Sequence, residues 1–273
     1  MVIMGSGILC RHQLVQDIRW SFNMKKITII FSVLCILSCD LPTSPGPMPT
    51  HIEETEYEPG LNIFGILRVD ERNYGTSFVR VERAYQLHEI ELELAFVPTI
   101  DSAHVQIIHH QIDTTLFPFK YSGTYDNENF IPKSGESYSI QIDNTEFPVL
   151  KGNTVVPIPP IIVEDRSIST ELGLNIIPDS SIHLIEVYPV YGMGIDYAQR
   201  FTNNNESIQY SVPIHHEKNG PLNRIEIFSY DKNMSDYLQA LVTLKPQAYN
   251  EMVKTVEGGY GVFGSVVKSE IYK

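Results

Sequence analysis

Eight short segments alternate apolar and polar residues at a period of two, and this pattern decides what the chain can fold into. They are "NIFGILRV", "TSFVRVERAY", "IELELAFV", "AHVQIIHHQI", "ESYSIQI", "HLIEVYPV", "ESIQYSVPI" and "NRIEIFSY". Successive side chains of an extended strand point to opposite faces, so such alternation buries one face and wets the other. Several are separated by turn-forming runs, "DERNYG", "YDNEN", "PKSG" and "HEKNGP". Regular short strands with such turns predict a mainly β fold: two antiparallel β-sandwich, Ig-like domains in tandem.

One stretch has helical spacing. "MSDYLQALVTLKPQAYNEMVKTV" sets Tyr237, Leu238, Leu241 and Val242 on one stripe behind Ser235, an N-cap residue type. A helix near 235–252 is expected before the last strand, ended or kinked by Pro246. The extended run "VVPIPPIIVEDRS", stiffened by Pro157, Pro159 and Pro160, marks a boundary between a first sandwich at 61–163 and a second β-rich domain at 164–273. A chain of 273 residues has room for both.

The N-terminal part has a different composition. From Met24 the chain reads "MKKITIIFSVLCILSCD": two lysines, an apolar run over 27–37, then Ser38 and Cys39. That is the layout of a secretory signal, whose apolar region is roughly 7–15 residues and too short for a comfortable membrane span. "ILSC" is similar to a bacterial lipobox, in which cleavage precedes an acylated cysteine. Residues 24–38 are then a lipoprotein signal peptide and Cys39 the lipidated first residue, held to the membrane by acyl chains worth about 0.8 kcal/mol per buried methylene. The competing reading, a core segment with Cys39 as a buried thiol, leaves unexplained why this stretch is so unlike the rest. Residues 1–23 lack any such signal and are expected to be an upstream extension from a misassigned start. "DLPTSPGPMPTHIEETEYEPG" completes a Pro-, Thr- and Glu-rich tether over 39–60.

Charge and cysteine placement exclude several function classes. The net charge is −13, and removal of 1–38, with four basic residues and one acidic, takes it to −16. Beyond the Lys25-Lys26 pair, Lys and Arg are scattered singly, so no basic footprint for nucleic acid exists. Anionic lipid repels such a surface, leaving attachment to the anchor. All three cysteines, Cys10, Cys35 and Cys39, precede the folded part, which excludes from it a thiolate metal cage, a Cys nucleophile and a disulfide.

Near the C-terminus, "GYGVFG" (Gly259, Gly261 and Gly264) fits G-x-G-x-x-G letter for letter. A dinucleotide-binding turn needs a strand before the glycines, a helix after them and an acidic residue about 20 positions on. Only nine residues follow Gly264. Gly258, Gly259, Gly261 and Gly264 are instead expected to be structural, stopping a helix and starting a final strand, and no cofactor is expected. Ser265 and Lys268 spell S-x-x-K on an alternating strand without the partner elements of a serine acyl-enzyme. His109-His110 and His215-His216, with His104 or Glu217, offer imidazoles, but neighbours on a strand diverge, so no metal site is expected. "YDNENF", with Asp126, Asn127, Glu128 and Asn129, forms a hairpin loop with at most a weak cation site. Tyr188, Tyr191 and Tyr197 in "VYPVYGMGIDY" are the candidate ligand-contact aromatics, against packing as the commoner role of strand tyrosines. No catalytic set emerges.

Taken together, the lipobox cysteine, "LNIFGILRVD…SFVRVERAY", "SAHVQI", "Y…FIPKSGESYSIQI", "NTVVPIPPI" and "VEGGYGVFGSVV" resemble an uncharacterised lipoprotein family of Bacteroidota, catalogued as domain of unknown function 4249. The resemblance implies an outer-membrane-associated lipoprotein with a TonB-dependent transporter as partner, and carries over no catalytic residue. The function expected is noncatalytic: a ligand-binding or accessory protein of the cell envelope. A structural or adhesive surface protein is the alternative, and a glycan or peptide hydrolase acting through loop carboxylates the third reading.

Overall fold

Strands form where the alternation predicts them. In the computed structural model, which describes residues 59–70, 76–84, 99–164, 168–242 and 255–273, the first half holds β1 (Leu61–Asp70), β2 (Phe78–Arg83), β3 (His104–His109), β4 (Asp113–Phe117), β5 (Phe119–Tyr121), β6 (Thr124–Asp126), β7 (Ser137–Asp143) and β8 (Leu150–Val155). Then follow β9 (Ile161–Glu164), β10 (Glu171–Ile177), β11 (Leu184–Tyr191), β12 (Gly194–Ile195), β13 (Gln199–Thr202), β14 (Ile208–Pro213), β15 (His215–His216) and β16 (Gly220–Tyr230). Helix α1 (Lys232–Val242), β17 (Val256–Glu257) and β18 (Gly259–Tyr272) complete the series. The protein is mainly β, with one short helix among the described residues. The signal segment, Cys39, the tether as far as residue 58, "IELELAFV" and Pro246 lie outside those residues. No helix of the described residues is long and apolar enough to cross a membrane.

Among the described residues three sheets enclose two apolar cores. One ten-stranded sheet runs β12-β11-β16-β18-β1-β2-β6-β5, with β13 and β15 attached at its side; the others are β17-β8-β7-β3-β4 and β14-β10-β9. The first core lies between the large sheet (Leu61, Ile63, Val79, Phe263) and the five-stranded one (Val105, Ile107, Ile140, Leu150). The second lies between the large sheet (Ile185, Val187, Ile225, Ile227) and the three-stranded one (Leu172, Leu174, Val212). Each fully buried side chain of this kind contributes about 1.5–3 kcal/mol.

The change of core falls close to Val163, but the sheet does not break there. β18, the last strand, pairs antiparallel with β16 and in parallel with β1, the first strand, so one sheet spans both cores. Among the described residues this parallel pair is the exception to ladders that are otherwise antiparallel.

Helix α1 begins earlier than its sequence suggests. Asp231, not Ser235, caps it: Met234 N–H donates to Asp231 Oδ1 at 3.0 Å. Both residue types suit a cap. What selects Asp231 is tertiary, because its carboxylate also accepts from Ser265 N–H at 3.1 Å and from Thr154 Oγ1 at 2.6 Å. One buried group thereby ties β8, β18 and α1 together. Burial pushes its carboxyl above the ordinary 3.8, although the hydrogen bonds from Thr154, Met234 and Ser265 act the other way.

Candidate functional site

The glycine motif binds strands to one another. β17 pairs with β8 in the five-stranded sheet, and β18 starts two residues later in the ten-stranded one. Gly258 makes that change of sheet at φ 75°, where a Cβ would lie 2.2 Å from Val149 O. Gly261, at φ 98°, would place one 1.9 Å from Ile63 O. Gly259 is pressed by Leu150 and by Leu61 O, and Gly264 by Asp231 and Met234 at the start of α1. The four glycines admit close neighbours on every side, and the expected helix stop becomes a crossing between two facing sheets.

A cleft of about 740 Å³ lies where β3, β7 and β8 face the approach to β11 and the start of α1. Ser137, Ser139, Asn153 and Thr154 supply hydroxyl and amide groups from β7 and β8, and His183 and Asn233 face them. Ser139 Oγ and Asn153 Oδ1 are 2.7 Å apart across the strands, while Asn233 Nδ2 donates to Asn153 O and Phe263 O, fixing the helix start at the cleft wall. Asp231 is the only carboxylate among the described lining residues. Its oxygens are occupied by the cap, so the lining suits hydrogen bonding to a polar ligand more than acid–base chemistry.

At the rim, His110 overturns the expectation that adjacent histidines diverge. β3 ends at His109, and the three-residue turn that follows holds His110 at φ 49° and Gln111 at φ 60°. A left-handed residue swings its side chain out of the strand's alternation, which no sequence pattern here announces. His109 and His110 rings lie 3.9 Å apart between centroids. Their Nε2 atoms are 3.6 Å and 2.9 Å from one oxygen, Glu136 Oε2. Glu136 enters through register: His109 faces Tyr138 across the β3–β7 ladder, and Glu136 is two residues before Tyr138. His104 lies at the opposite end of β3, away from this cluster.

The other histidine pair behaves as alternation predicts. His216 Nδ1 accepts Lys218 and Asn219 N–H groups at 3.3 and 3.2 Å, and His215 is exposed. In "YDNENF", Lys120 Nζ sits 2.8 Å from both Asp126 and Glu128, so an ammonium already occupies the place suggested for a cation. Ser265 and Lys268 face opposite sides of the sheet: Ser265 Oγ donates to Val155 O, while Lys268 reaches Glu226 and Glu270.

The three tyrosines do not converge. Tyr188 is half-buried on the outer face of the ten-stranded sheet, its hydroxyl donating to Glu186 and its ring edge-on to Phe228. Burial first, and Glu186 second, push that hydroxyl up to about 12. Tyr191 shares the alternation of Ile185 and Val187 along β11 and so faces the second core, where its hydroxyl donates to Pro213 O. Tyr197 is 93% exposed in the loop after β12.

Carboxylates do meet on that outer face, as a structural network. Glu226 and Glu270 are register partners on β16 and β18. Lys268 Nζ lies 3.0 Å from Glu226 and 2.5 Å from Glu270, and Arg224 Nε donates to Glu226 at 2.9 Å. Glu186, also buried, accepts from Arg200, Tyr188 and Tyr230. Each acid is neutralised by a neighbouring cation, a different arrangement from a hydrolytic pair of unequal acids.

No family model matches the chain, and no curated protein matches it. The likeness to domain of unknown function 4249 rests on the quoted segments.

Proposed function

We propose that this chain is a lipid-anchored protein of a bacterial cell envelope, in which a β-rich body on a Pro-rich tether binds a small polar ligand without catalysis. The observation that carries the reading is Cys39 at the close of a short apolar segment with a lysine-bearing start. The polar cleft between β7–β8 and α1 supports the binding half. The family resemblance adds an outer-membrane TonB-dependent transporter as the partner to which a captured ligand would pass. Metabolic labelling with radioactive palmitate is expected to mark the wild-type chain and leave Cys39→Ala unlabelled; equal labelling of both would remove the anchor.

One observation favours the structural or adhesive alternative. Among the described residues β9 ends its sheet, with Ile161 65% and Val163 48% exposed beside Ile177 of β10. An apolar sheet edge is a surface for contact with another chain. Protease shaving of intact cells separates the readings: a protein facing the periplasm is spared, whereas an adhesive surface protein is cut.

A further inference from the structure

We propose that His109, His110 and Glu136 form a binding site for one divalent transition-metal ion of the zinc type, at the rim of the cleft. Their ligand atoms all lie within 4.8 Å of one another. Zinc bonds of about 2.0–2.2 Å in a tetrahedron set neighbouring donors about 3.3 Å apart. The observed 2.9 and 3.6 Å from Glu136 Oε2 to the two Nε2 atoms bracket that spacing. Two imidazoles and a carboxylate are the donor set that suits zinc, nickel or copper, whereas calcium and magnesium take oxygen ligands.

A hydrogen-bonded cluster without an ion explains only part of this arrangement. His110 Nε2 at 2.9 Å makes an ordinary hydrogen bond to Glu136. His109 Nε2 is buried with no hydrogen-bond partner, and its nearest carboxylate oxygen at 3.6 Å is beyond hydrogen-bond range. A cation between the three groups would satisfy this nitrogen and both others together.

The surroundings hold the donors in place. Tyr138 stacks on His109 with centroids 4.7 Å apart and planes at 16°, and its hydroxyl is fixed by Lys133 N–H. Glu136 is anchored through its carbonyl, which accepts from Val156 N–H at 2.9 Å. Preorganisation of this kind lowers the cost of assembling a site. Three protein donors leave a fourth position open, as in catalytic rather than structural zinc sites. His110 also lines the cleft, so the ion would stand beside any molecule bound there.

Titration of the purified full-length chain with zinc chloride, against a chromogenic chelator, tests the site. One zinc per chain is expected, with affinity at least tenfold weaker in His110→Ala and in Glu136→Gln, unchanged in His215→Ala, and insensitive to equimolar calcium or magnesium. His110 and Glu136 have side chains 58% and 36% exposed, so both variants retain the fold, which circular dichroism checks. Absence of saturable zinc binding overturns the proposal, as does wild-type affinity in either variant, or displacement of zinc by calcium.

Discussion

Gly261→Ala is expected to lower stability by more than about 4 kcal/mol or to prevent folding. The residue sits at φ 98°, outside the regions open to an L side chain, which by itself costs about 1–3 kcal/mol. The added methyl would also lie 1.9 Å from Ile63 O and 2.8 Å from Ile63 C and N. Those are backbone atoms of its register partner in the β1–β18 ladder, so no side-chain rotation relieves the contact. The strands would have to part, and they are the seam through which one sheet serves both cores. Gly192→Ala is the control: its nearest foreign atom is 3.6 Å away and its φ lies outside the left-handed range. Urea unfolding should place Gly192→Ala close to the wild type and Gly261→Ala far below it; equal midpoints would contradict the close packing of β1 on β18.

Lys268→Met is expected to cost about 3 kcal/mol at neutral pH, because it removes the ammonium between the neighbouring buried carboxylates of Glu226 and Glu270 and leaves Arg224 as the cation facing both. The methylene length is kept, so loss of charge dominates the effect. Its pH dependence gives the sign. In the wild type, burial opposes ionisation of Glu270, but hydrogen bonds from Lys268 and Tyr272 outweigh it and hold the carboxyl below its ordinary 4.5. A carboxyl lowered in the folded state stabilises above its unfolded value, and that contribution is lost as pH falls below 4.5 through the folded value. Without Lys268, Glu270 loses the largest hydrogen bond that offsets its burial, and protonation relieves the repulsion between the two neighbouring carboxyls. The deficit of the variant therefore shrinks on acidification. A deficit that stays constant between pH 7 and pH 4 would show that Lys268 acts through packing alone.

The strands were legible because their cause is local. β1, β2, β3, β7, β11, β14 and β16 all fall on alternating runs, where one face must be buried. β8, with "LKGNTV", escaped because its buried positions include Gly152 and Thr154, small or polar residues accepted by close neighbours. β10, "ELGLNII", keeps the alternation, with Leu172, Leu174 and Ile176 buried, but its outward positions Gly173 and Asn175 are residue types depleted in strands and mask it. The joining of both cores through β18 was not legible either, since pairing the first strand in parallel with the last is a long-range choice. For the candidate site the two histidines were visible as a pair, but the left-handed turn at His110 and the register that brings in Glu136 belong to the β3–β4 and β3–β7 ladders. The cap at Asp231 was hidden by Ser235, an equally good cap type one turn later. The tyrosine cluster was an expectation from sequence proximity, and the period-two alternation of β11, which turns Tyr188 outward and Tyr191 into the core, separates its members, with Tyr197 in the loop beyond.

The anchored state of the protein is the central functional claim, and the mature N-terminus tests it most directly. Mass spectrometry of the chain extracted from membranes should find an N-terminal peptide that begins at Cys39 and carries covalent acyl chains. A mature chain that begins at Met1 or Met24, with Cys39 unmodified, would contradict the account.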